Sequence, residues 1–211
     1  MVSVVLVDDE RVLSRRDHEA NNAHGEVLAA LIDAVLREAE IAPADLSVVG
    51  VGLGPGPFTG LRVGIVTAAA TGDALRIPVY GACSLDAVGV DDAVRGQPFA
   101  AVTDARRRQV YWAAYDDAGD RIDGPDLAPP TDLASRLRGH VRTVVGPRAT
   151  QYAEVFAGLE VADTRWPDAQ WLAIDALRQR VSGVVPEPLT PMYLRRPDAR
   201  EPGPPKRVSP A

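Results

Sequence analysis

Hydrophobic and polar positions follow two alternating periods along this chain of 211 residues. Short apolar runs bounded by turn residues predict strands, and apolar residues that recur every three to four positions predict helices. The predicted strands are Val2–Val7, Arg11–Arg16, Val48–Leu53, Val79–Ala82, Phe99–Val102, Gln109–Tyr115 and Val141–Val145. The first predicted helix is capped by Asn21 or Asn22 and has apolar positions from Val27 to Leu36. Ser84 is the predicted cap of a helix over Leu85–Val94. The other predicted helices are Thr59–Arg76, a short helix within Leu127–Arg138, Ala149–Ala157 and Asp168–Val181. This alternation predicts an α/β fold of packed layers.

Composition changes at two places along the chain. The first is Arg95-Gly96-Gln97-Pro98, a polar break between apolar segments, and it predicts a boundary between two lobes at residues 1–97 and 98–195. The second is residue 196, after which proline and charged residues dominate. A segment of that composition buries too little apolar surface to fold, so residues 196–211 are predicted to form a loose tail.

A glycine- and proline-rich turn lies between the strand that ends at Leu53 and the long helix that follows. It reads Gly54-Pro55-Gly56-Pro57-Phe58-Thr59-Gly60, and Thr59 is a suitable N-cap for the helix. A strand, a tight turn and a helix start together present backbone N–H groups and the positive end of a helix dipole. Two uses are open: the turn holds a phosphate group, or it lets another backbone come very close.

The phosphate interpretation has little support in the residues. The lysine of the Gly-x4-Gly-Lys-Ser/Thr phosphate loop is absent, and the third glycine of a dinucleotide-binding Gly-x-Gly-x-x-Gly comes one position late, at Gly60. Pro55 and Pro57 also lack the backbone N–H groups that a phosphate cradle uses.

The helix after the turn carries small residues at intervals of four: Gly60, Gly64, Ala68 and Gly72. A glycine inside a helix costs roughly 1 kcal/mol relative to alanine, so two interior glycines require a compensating contact. One interpretation is that the helix packs closely on its own sheet. The other is a close helix–helix interface with another subunit, which small residues four apart permit.

Charge and composition narrow the classes of function. The net charge is −6 and the isoelectric point is about 5.1, which disfavours unaided binding to nucleic acid. A single cysteine, Cys83, excludes an internal disulfide and a multi-cysteine zinc site. No apolar run reaches membrane-spanning length and the start has no basic segment, so a cytoplasmic protein is expected.

Other candidate chemistry is sparse. His18, His24 and His140 have no metal-ligand spacing, so neither a metal site nor a catalytic constellation is predicted. Asp104 together with Arg106, Arg107 and Arg108 forms a charged hairpin turn. That turn either binds an anion or is simply solvated, and the solvated state is the commoner of the two.

Four segments, in order, resemble the bacterial TsaB family, also called YeaZ. Gly54 to Gly64 resembles its Gly-Pro-Gly-Ser-Phe-Thr-Gly-Leu-Arg-x-Gly signature, with Pro57 where the family usually has serine. Ile77 to Asp86 resembles its Ile-Pro-x-x-x-Val-Ser-Ser-Leu segment, Thr103 to Tyr111 its Asp-Ala-Arg-x-x-Glu-Val-Tyr hairpin, and Pro191 to Arg195 its Pro-x-Tyr-Leu-Arg ending. The match covers about residues 4 to 195.

The resemblance implies an actin/Hsp70/sugar-kinase-like fold of two ribonuclease-H-like lobes. It also implies a non-catalytic subunit that binds and activates the transferase TsaD in making threonylcarbamoyladenosine beside the tRNA anticodon, in a complex that includes TsaE. ATP or ADP is then expected only at the interface of the complex, tRNA only indirectly, and a homodimer as a further form. The implied interface lies on the first two long helices and comprises Leu28, Leu31, Gly56, Phe58, Thr59, Gly60, Leu61, Arg62, Gly64, Ala68 and Gly72. The alternative is an ATP-using or peptidase-like enzyme of the same fold.

One departure from the family concerns the start of the chain. Family members begin with a strand and loop of the form Leu-Ala-Ile-Asp-Thr-Ala/Ser, and this sequence has no counterpart before Val2. That strand is central to the sheet in this fold, so its absence predicts an unpaired strand edge. We therefore expect the natural protein to begin upstream, with about 12–17 further residues supplying the strand. Mass spectrometry of the endogenous N-terminus tests this expectation.

Overall fold

The structure, a computed structural model, describes residues 1–19, 24–88, 94, 96–147, 149–163 and 167–195, with the backbone alone for residues 24–26. The first half begins with an antiparallel hairpin of β1 (Val2–Asp8) and β2 (Arg11–His18), followed by helix α1 (His24–Glu38). Strand β3 (Val49–Gly52), helix α2 (Phe58–Leu75) and strand β4 (Val79–Ala82) come next, and β3 pairs with β4 in parallel. Asn21 and Asn22, the predicted caps of α1, lie outside the described residues.

The second half is built on one five-stranded sheet. Its elements are β5 (Phe99–Asp104), β6 (Val110–Tyr115), β7 (Arg121–Ala128), helix α3 (Pro130–Leu137), β8 (Thr143–Gly146), β9 (Glu160–Asp163) and helix α4 (Ala169–Val181). The strand order is β7-β6-β5-β8-β9, antiparallel from β5 to β7 and parallel from β5 to β9. The predicted α/β class is confirmed.

Several predicted elements differ from those observed. Residues 84–88 form turns where a helix was expected, and residues 89–93 lie outside the described residues. The helix expected over 149–157 is a short 3-10 helix, Ala149–Tyr152, followed by turns. Strands β7 and β9 were not predicted, because neither carries an apolar run. The predicted tail, residues 196–211, lies outside the described residues.

The two halves of the chain repeat one arrangement with one difference. In the second half, β5 joins an antiparallel hairpin, β6–β7, to a parallel pair, β8–β9. The first half has the same hairpin, β1–β2, and the same parallel pair, β3–β4, but among the described residues no strand joins them. The unpaired edge that the sequence predicts is therefore observed on β1 and on β3. Where the natural chain begins stays a prediction.

Helix α4 belongs spatially to the first half, although the sequence boundary assigned it to the second lobe. It packs on β1, β3 and β4. A Cβ at Gly50 would lie 2.3 Å from the Leu172 carbonyl oxygen, so glycine in β3 lets α4 rest directly on the strand. The segment after α4 also returns, and the Met192 N–H donates to the Leu53 carbonyl at 2.8 Å. The boundary at residue 97 stays a prediction, but helix α4 lies against the first lobe.

Buried apolar side chains are concentrated in the second half. One cluster fills the face of the five-stranded sheet that α3 covers, around Trp112, Leu133 and Phe156. A second cluster lies on the opposite face, where Cys83, Leu85 and Val88 pack against β5 and β6. Among the described residues up to Ala82, few apolar side chains are fully buried, namely Val35, Ile65, Ala68 and Tyr80. A strand with neighbours on both sides is covered on both faces, and among these residues no strand joins β1 to β3.

A partly buried carboxylate joins the two halves. Asp86 Oδ1 accepts hydrogen bonds from the Tyr115 hydroxyl at 2.8 Å and from Arg121 Nη1 at 2.9 Å. Burial raises the pKa of Asp86, and the bonds from Tyr115 and Arg121 offset only part of that effect. Burial, with the Asp86 charge beside it, also raises the pKa of Tyr115.

We predict opposite effects from adding the same methyl group at two glycines of α2. A Cβ at Gly72 would lie 2.3 Å from Val79 Cγ2 and 3.0 Å from the Ile77 carbonyl oxygen, whereas a Cβ at Gly64 meets nothing within 4 Å. Gly64→Ala should raise the free energy of unfolding by up to about 1 kcal/mol through helix propensity. Gly72→Ala should lower it by about 1–2 kcal/mol, because overpacking exceeds that gain. Urea denaturation of both variants measures the difference, and equal effects at the two sites would contradict this packing.

We predict that Asp86 makes the protein less stable as pH rises. Its folded pKa is raised, so the folded protein binds the proton more tightly than the unfolded chain. Relative to Asp86→Asn, the wild-type free energy of unfolding should therefore decline from about pH 4, the ordinary Asp pKa, and level off above the folded pKa. Asp163 supplies the control, because hydrogen bonds from Thr150 lower its pKa. The Asp163→Asn comparison should show stability that is lost as pH falls, and the same slope at both residues would refute the assignment.

Candidate interaction surface

The glycine turn leads from β3 into α2 and is fixed by a serine from outside it. Gly54 takes a φ of 100°, which favours glycine. Its N–H donates to Ser84 Oγ at 3.2 Å, and its carbonyl accepts from the Ser84 N–H at 2.7 Å. Ser84 therefore holds the turn instead of capping a helix. The Gly54 N–H is therefore engaged, and Pro55 and Pro57 have no N–H to offer a phosphate.

Helix α2 begins one residue earlier than predicted and has no side-chain cap. Pro57 occupies the N-cap position and its carbonyl accepts from the Leu61 N–H at 3.0 Å. Thr59, the expected cap, is the second helical residue and is exposed. A proline just before the first turn suits a helix start, because its fixed φ matches the helix and its absent N–H is not needed there.

One face of α2 is exposed and largely apolar. We call it the α2 face; it comprises Phe58, Thr59, Arg62, Val66, Ala69 and Ala70, and the exposed Asp73 follows on the same side one turn later. Phe58 is 52% exposed and Val66 is 66% exposed. Large apolar side chains at the surface are informative when they adjoin one another on one element, as positions 58, 62 and 66 do on a helix. This surface is suited to contact with a partner.

An arginine and two aromatic rings form the rigid end of the α2 face. The Arg62 guanidinium lies 3.9 Å from the Phe58 ring centroid, and its Nε donates to the Tyr193 hydroxyl at 2.7 Å. The Phe58 and Tyr193 rings are 5.3 Å apart. Because the cation and both rings hold one another, their side chains lose little further freedom when a partner binds. Tyr193 is absent from the predicted interface, although the Pro-x-Tyr-Leu-Arg ending had drawn attention to its segment.

The predicted interface residues separate into three groups by burial. Phe58, Thr59 and Arg62 are exposed, whereas Gly56, Gly60, Leu61, Gly64, Leu28 and Leu31 are partly buried. Ala68 and Gly72 are buried within the chain. For these two small residues the structure shows close packing within the chain, the first of the two interpretations, and Gly72 compensates its helix cost by packing on β4. Gly64 keeps open space beside it, and the interface itself stays a prediction.

The turn between β5 and β6 carries three strained arginines. Arg106, Arg107 and Arg108 are exposed and have φ values of 61°, 53° and 59°. A left-handed conformation costs a residue with a Cβ roughly 1–2 kcal/mol. We call these three residues the arginine turn.

The other predicted chemical groups do not form a site in the described part of the chain. His18 and His140 are exposed and His24 has no described side chain. Burial raises the pKa of the Cys83 thiol, which disfavours the reactive thiolate. Among the described residues, no group of three or more His, Cys, Asp or Glu side chains could hold a metal ion. None of the described helices is long and apolar enough to cross a membrane.

Comparison with known proteins identifies relatives over most of the chain. Residues 16–166 match the family model described as TsaD: tRNA N6-adenosine threonylcarbamoyltransferase. An uncharacterised protein of Mycobacterium tuberculosis is 44% identical over 200 residues, which cover 93% of this chain and 87% of that protein. An uncharacterised protein of Mycobacterium leprae is 47% identical over 178 residues, which cover 84% of this chain but 46% of that protein.

Relatives with a functional name and solved structures both include TsaB or YeaZ proteins. The tRNA threonylcarbamoyladenosine biosynthesis protein TsaB of Bacillus subtilis is 27% identical over 114 residues, which cover 54% of this chain and half of that protein. YeaZ from Pseudomonas aeruginosa matches with a TM-score of 0.69 at 25% identity, over 91% of this chain and 93% of that one. A second Pseudomonas aeruginosa structure, an uncharacterised protein with similarity to peptidase YEAZ, shares the fold with a TM-score of 0.75 at 24% identity, over 92% and 94% of the two chains. This chain therefore belongs to the TsaD family of that model and, within it, to the TsaB/YeaZ family.

Proposed function

We propose that this chain is a non-catalytic subunit that binds and activates a TsaD-type transferase, which threonylcarbamoylates the tRNA adenosine beside the anticodon. The observation that carries the proposal is the α2 face, an exposed apolar helix surface with a rigid cation–aromatic end. The pathway is inferred from a relative, since TsaB of Bacillus subtilis is a tRNA threonylcarbamoyladenosine biosynthesis protein.

The proposed fold is the actin/Hsp70/sugar-kinase-like arrangement of two ribonuclease-H-like lobes. The repeat of a hairpin and a parallel pair in both halves supports it. In the proposed assembly TsaD docks on the α2 face, TsaE joins the same complex, and ATP or ADP binds at the interface of subunits. A homodimer through the same face is the form expected when TsaD is absent. The cytoplasm, where tRNA is modified, is the proposed location.

The alternative is an ATP-using or peptidase-like enzyme of the same fold. One observation favours it, namely the similarity to peptidase YEAZ recorded for a structural neighbour. Against it, the glycine turn has no lysine, and its first N–H is already bonded to Ser84. A phosphate loop depends on free backbone donors and that lysine.

We predict that a carboxylate at position 66 of the α2 face weakens association with TsaD. Val66→Asp should weaken the affinity by about tenfold or more, which corresponds to at least about 1.4 kcal/mol, because a carboxylate would be desolvated at the contact. Val181→Asp is the matched control: Val181 is 78% exposed on α4, so its substitution should leave binding unchanged. Isothermal titration of TsaD from the same organism measures both.

A second variant tests close approach at Gly64, a predicted interface residue that lies on α2 outside the α2 face. Gly64→Leu adds a bulky side chain where the folded chain leaves open space, so the variant should fold while association is lost. Circular dichroism verifies the fold. A folded Gly64→Leu chain that binds TsaD with wild-type affinity, together with an unaffected Val66→Asp variant, would refute the proposed interface.

We predict that the purified chain alone turns over neither ATP nor peptides. The expected result is phosphate release and peptide cleavage at the rate of the buffer blank, while the complex with TsaD, TsaE and tRNA modifies tRNA in the same preparation. The variants Gly54→Ala and Ser84→Ala distinguish hydrolysis by this chain from hydrolysis by a contaminant, because only the former should respond to a change in the glycine turn. Hydrolysis at an enzyme-like rate that both substitutions abolish would favour the enzyme over the scaffold.

A further inference from the structure

The arginine turn concentrates positive charge on an otherwise acidic molecule. The chain carries a net charge of −6, yet three consecutive exposed arginines occupy the tip of the β5–β6 hairpin. Among the described residues no ion pair takes up the side chain of Arg106 or Arg108. Their charge is therefore directed to solvent or to a partner.

The backbone of this turn gives no reason for arginine. All three residues take positive φ values, which glycine adopts without strain and asparagine adopts more readily than most residues. Arginine is thus held at positions where other residues would form the turn better. Strained residues of this kind occur mainly at functional sites. The side chains, and not the shape of the turn, are the feature to explain.

Other groups fix the turn and leave the guanidinium groups of Arg106 and Arg108 available. Arg195 Nη2 donates to the Arg106 carbonyl at 3.3 Å and to Gln109 Oε1 at 2.6 Å. The acidic group beside the turn is Asp104, whose Oδ1 accepts from the Arg106 N–H at 2.9 Å and from the Tyr152 hydroxyl at 3.5 Å. The Asp104 carboxylate thus bonds to the backbone of the turn, and the turn presents its arginines in a fixed frame that includes a fourth cation, Arg195.

The arginine turn lies near the α2 face. Arg195 follows two residues after Tyr193, which bonds to Arg62 and stacks against Phe58. A short segment, residues 193–195, therefore links the proposed TsaD contact to the turn.

We propose that the arginine turn binds the phosphodiester backbone of the tRNA that the complex modifies. This inference rests on the proposed function, which supplies the RNA. Guanidinium groups match phosphate oxygens in geometry and stay charged at every physiological pH. Phosphate contacts position a nucleic acid without reading its sequence, and they suit a subunit that orients tRNA for another subunit's chemistry. Two or three contacts are too few for tight binding alone, in keeping with the acidic chain.

The test compares charge removal at the turn with charge removal elsewhere, in the complex with TsaD. Arg106→Ala/Arg108→Ala is the variant, and Arg107 is kept because it makes a contact of its own. Arg11→Ala/Arg180→Ala, two exposed arginines on β2 and α4, is the control of equal charge. Fluorescence anisotropy with an unmodified tRNA transcript should show about tenfold weaker binding for the turn variant. The slope of log K against log salt should also shrink by roughly 1.5, since each lost phosphate contact contributes about 0.7–0.9.

Two further readouts distinguish RNA from a protein ligand. TsaD affinity without RNA should be unchanged in the turn variant, and Arg106→Lys/Arg108→Lys should restore most of the salt slope. Loss of TsaD affinity would show that the turn contacts an acidic protein surface and would overturn the inference. Unchanged tRNA binding, or an equal loss in the control, would overturn it as well.

If the wild-type complex does not form, the proposed function fails, and the turn is then tested on the chain alone. Titration with the same transcript at low salt, followed by NMR, should shift the backbone signals of residues 105–109 in the wild type and not in the turn variant. An absence of these shifts in the wild type overturns the inference independently.

Discussion

The position of a central strand decides how each half of this molecule is held together. In the second half β5 is paired on both sides and buried along most of its length, and apolar clusters form on both faces of its sheet. In the first half the corresponding place between β1 and β3 has no strand among the described residues. Helix α4 spans this place by packing on both strands. The first half is therefore held by helices across two small sheets, with little fully buried apolar surface, whereas the second has a continuous core.

Elements with a strong local pattern of apolar residues were predicted from the sequence, and elements without one were missed. Strands with apolar runs, such as β1 and β5, and the glycine turn before α2 were predicted within a few residues. Strand β7 was missed because it is an edge strand with the sequence Arg-Ile-Asp-Gly-Pro-Asp-Leu-Ala, whose polar residues face water. The helix expected after Ser84 fails for a tertiary reason, since Ser84 is needed at the glycine turn thirty residues earlier.

The candidate surface was predictable in part. Phe58 and Arg62 were assigned from the signature and are exposed as an interface requires. The burial of Ala68 and Gly72 within the chain was not predictable, because all sides of α2 carry small residues and no periodic pattern shows which side meets the sheet. Tyr193 was missed because its contact with Arg62 joins positions 131 residues apart. A contact between segments that are far apart in the sequence produces no local sequence pattern from which it could be predicted.

The return of α4 to the first half has a consequence for how the chain folds during synthesis. The β1–β2 hairpin leaves the ribosome well before α4, which covers β1 and β3 and lies about 160 residues later. Contacts of such long sequence separation form late, because a large loop must close before they stabilise the chain. The five-stranded sheet can assemble earlier, because all of its strands, β5 to β9, precede α4 in the chain and pair with one another. The half made first is thus completed last, and its open strand edges are exposed to chaperones and to other nascent chains for most of translation.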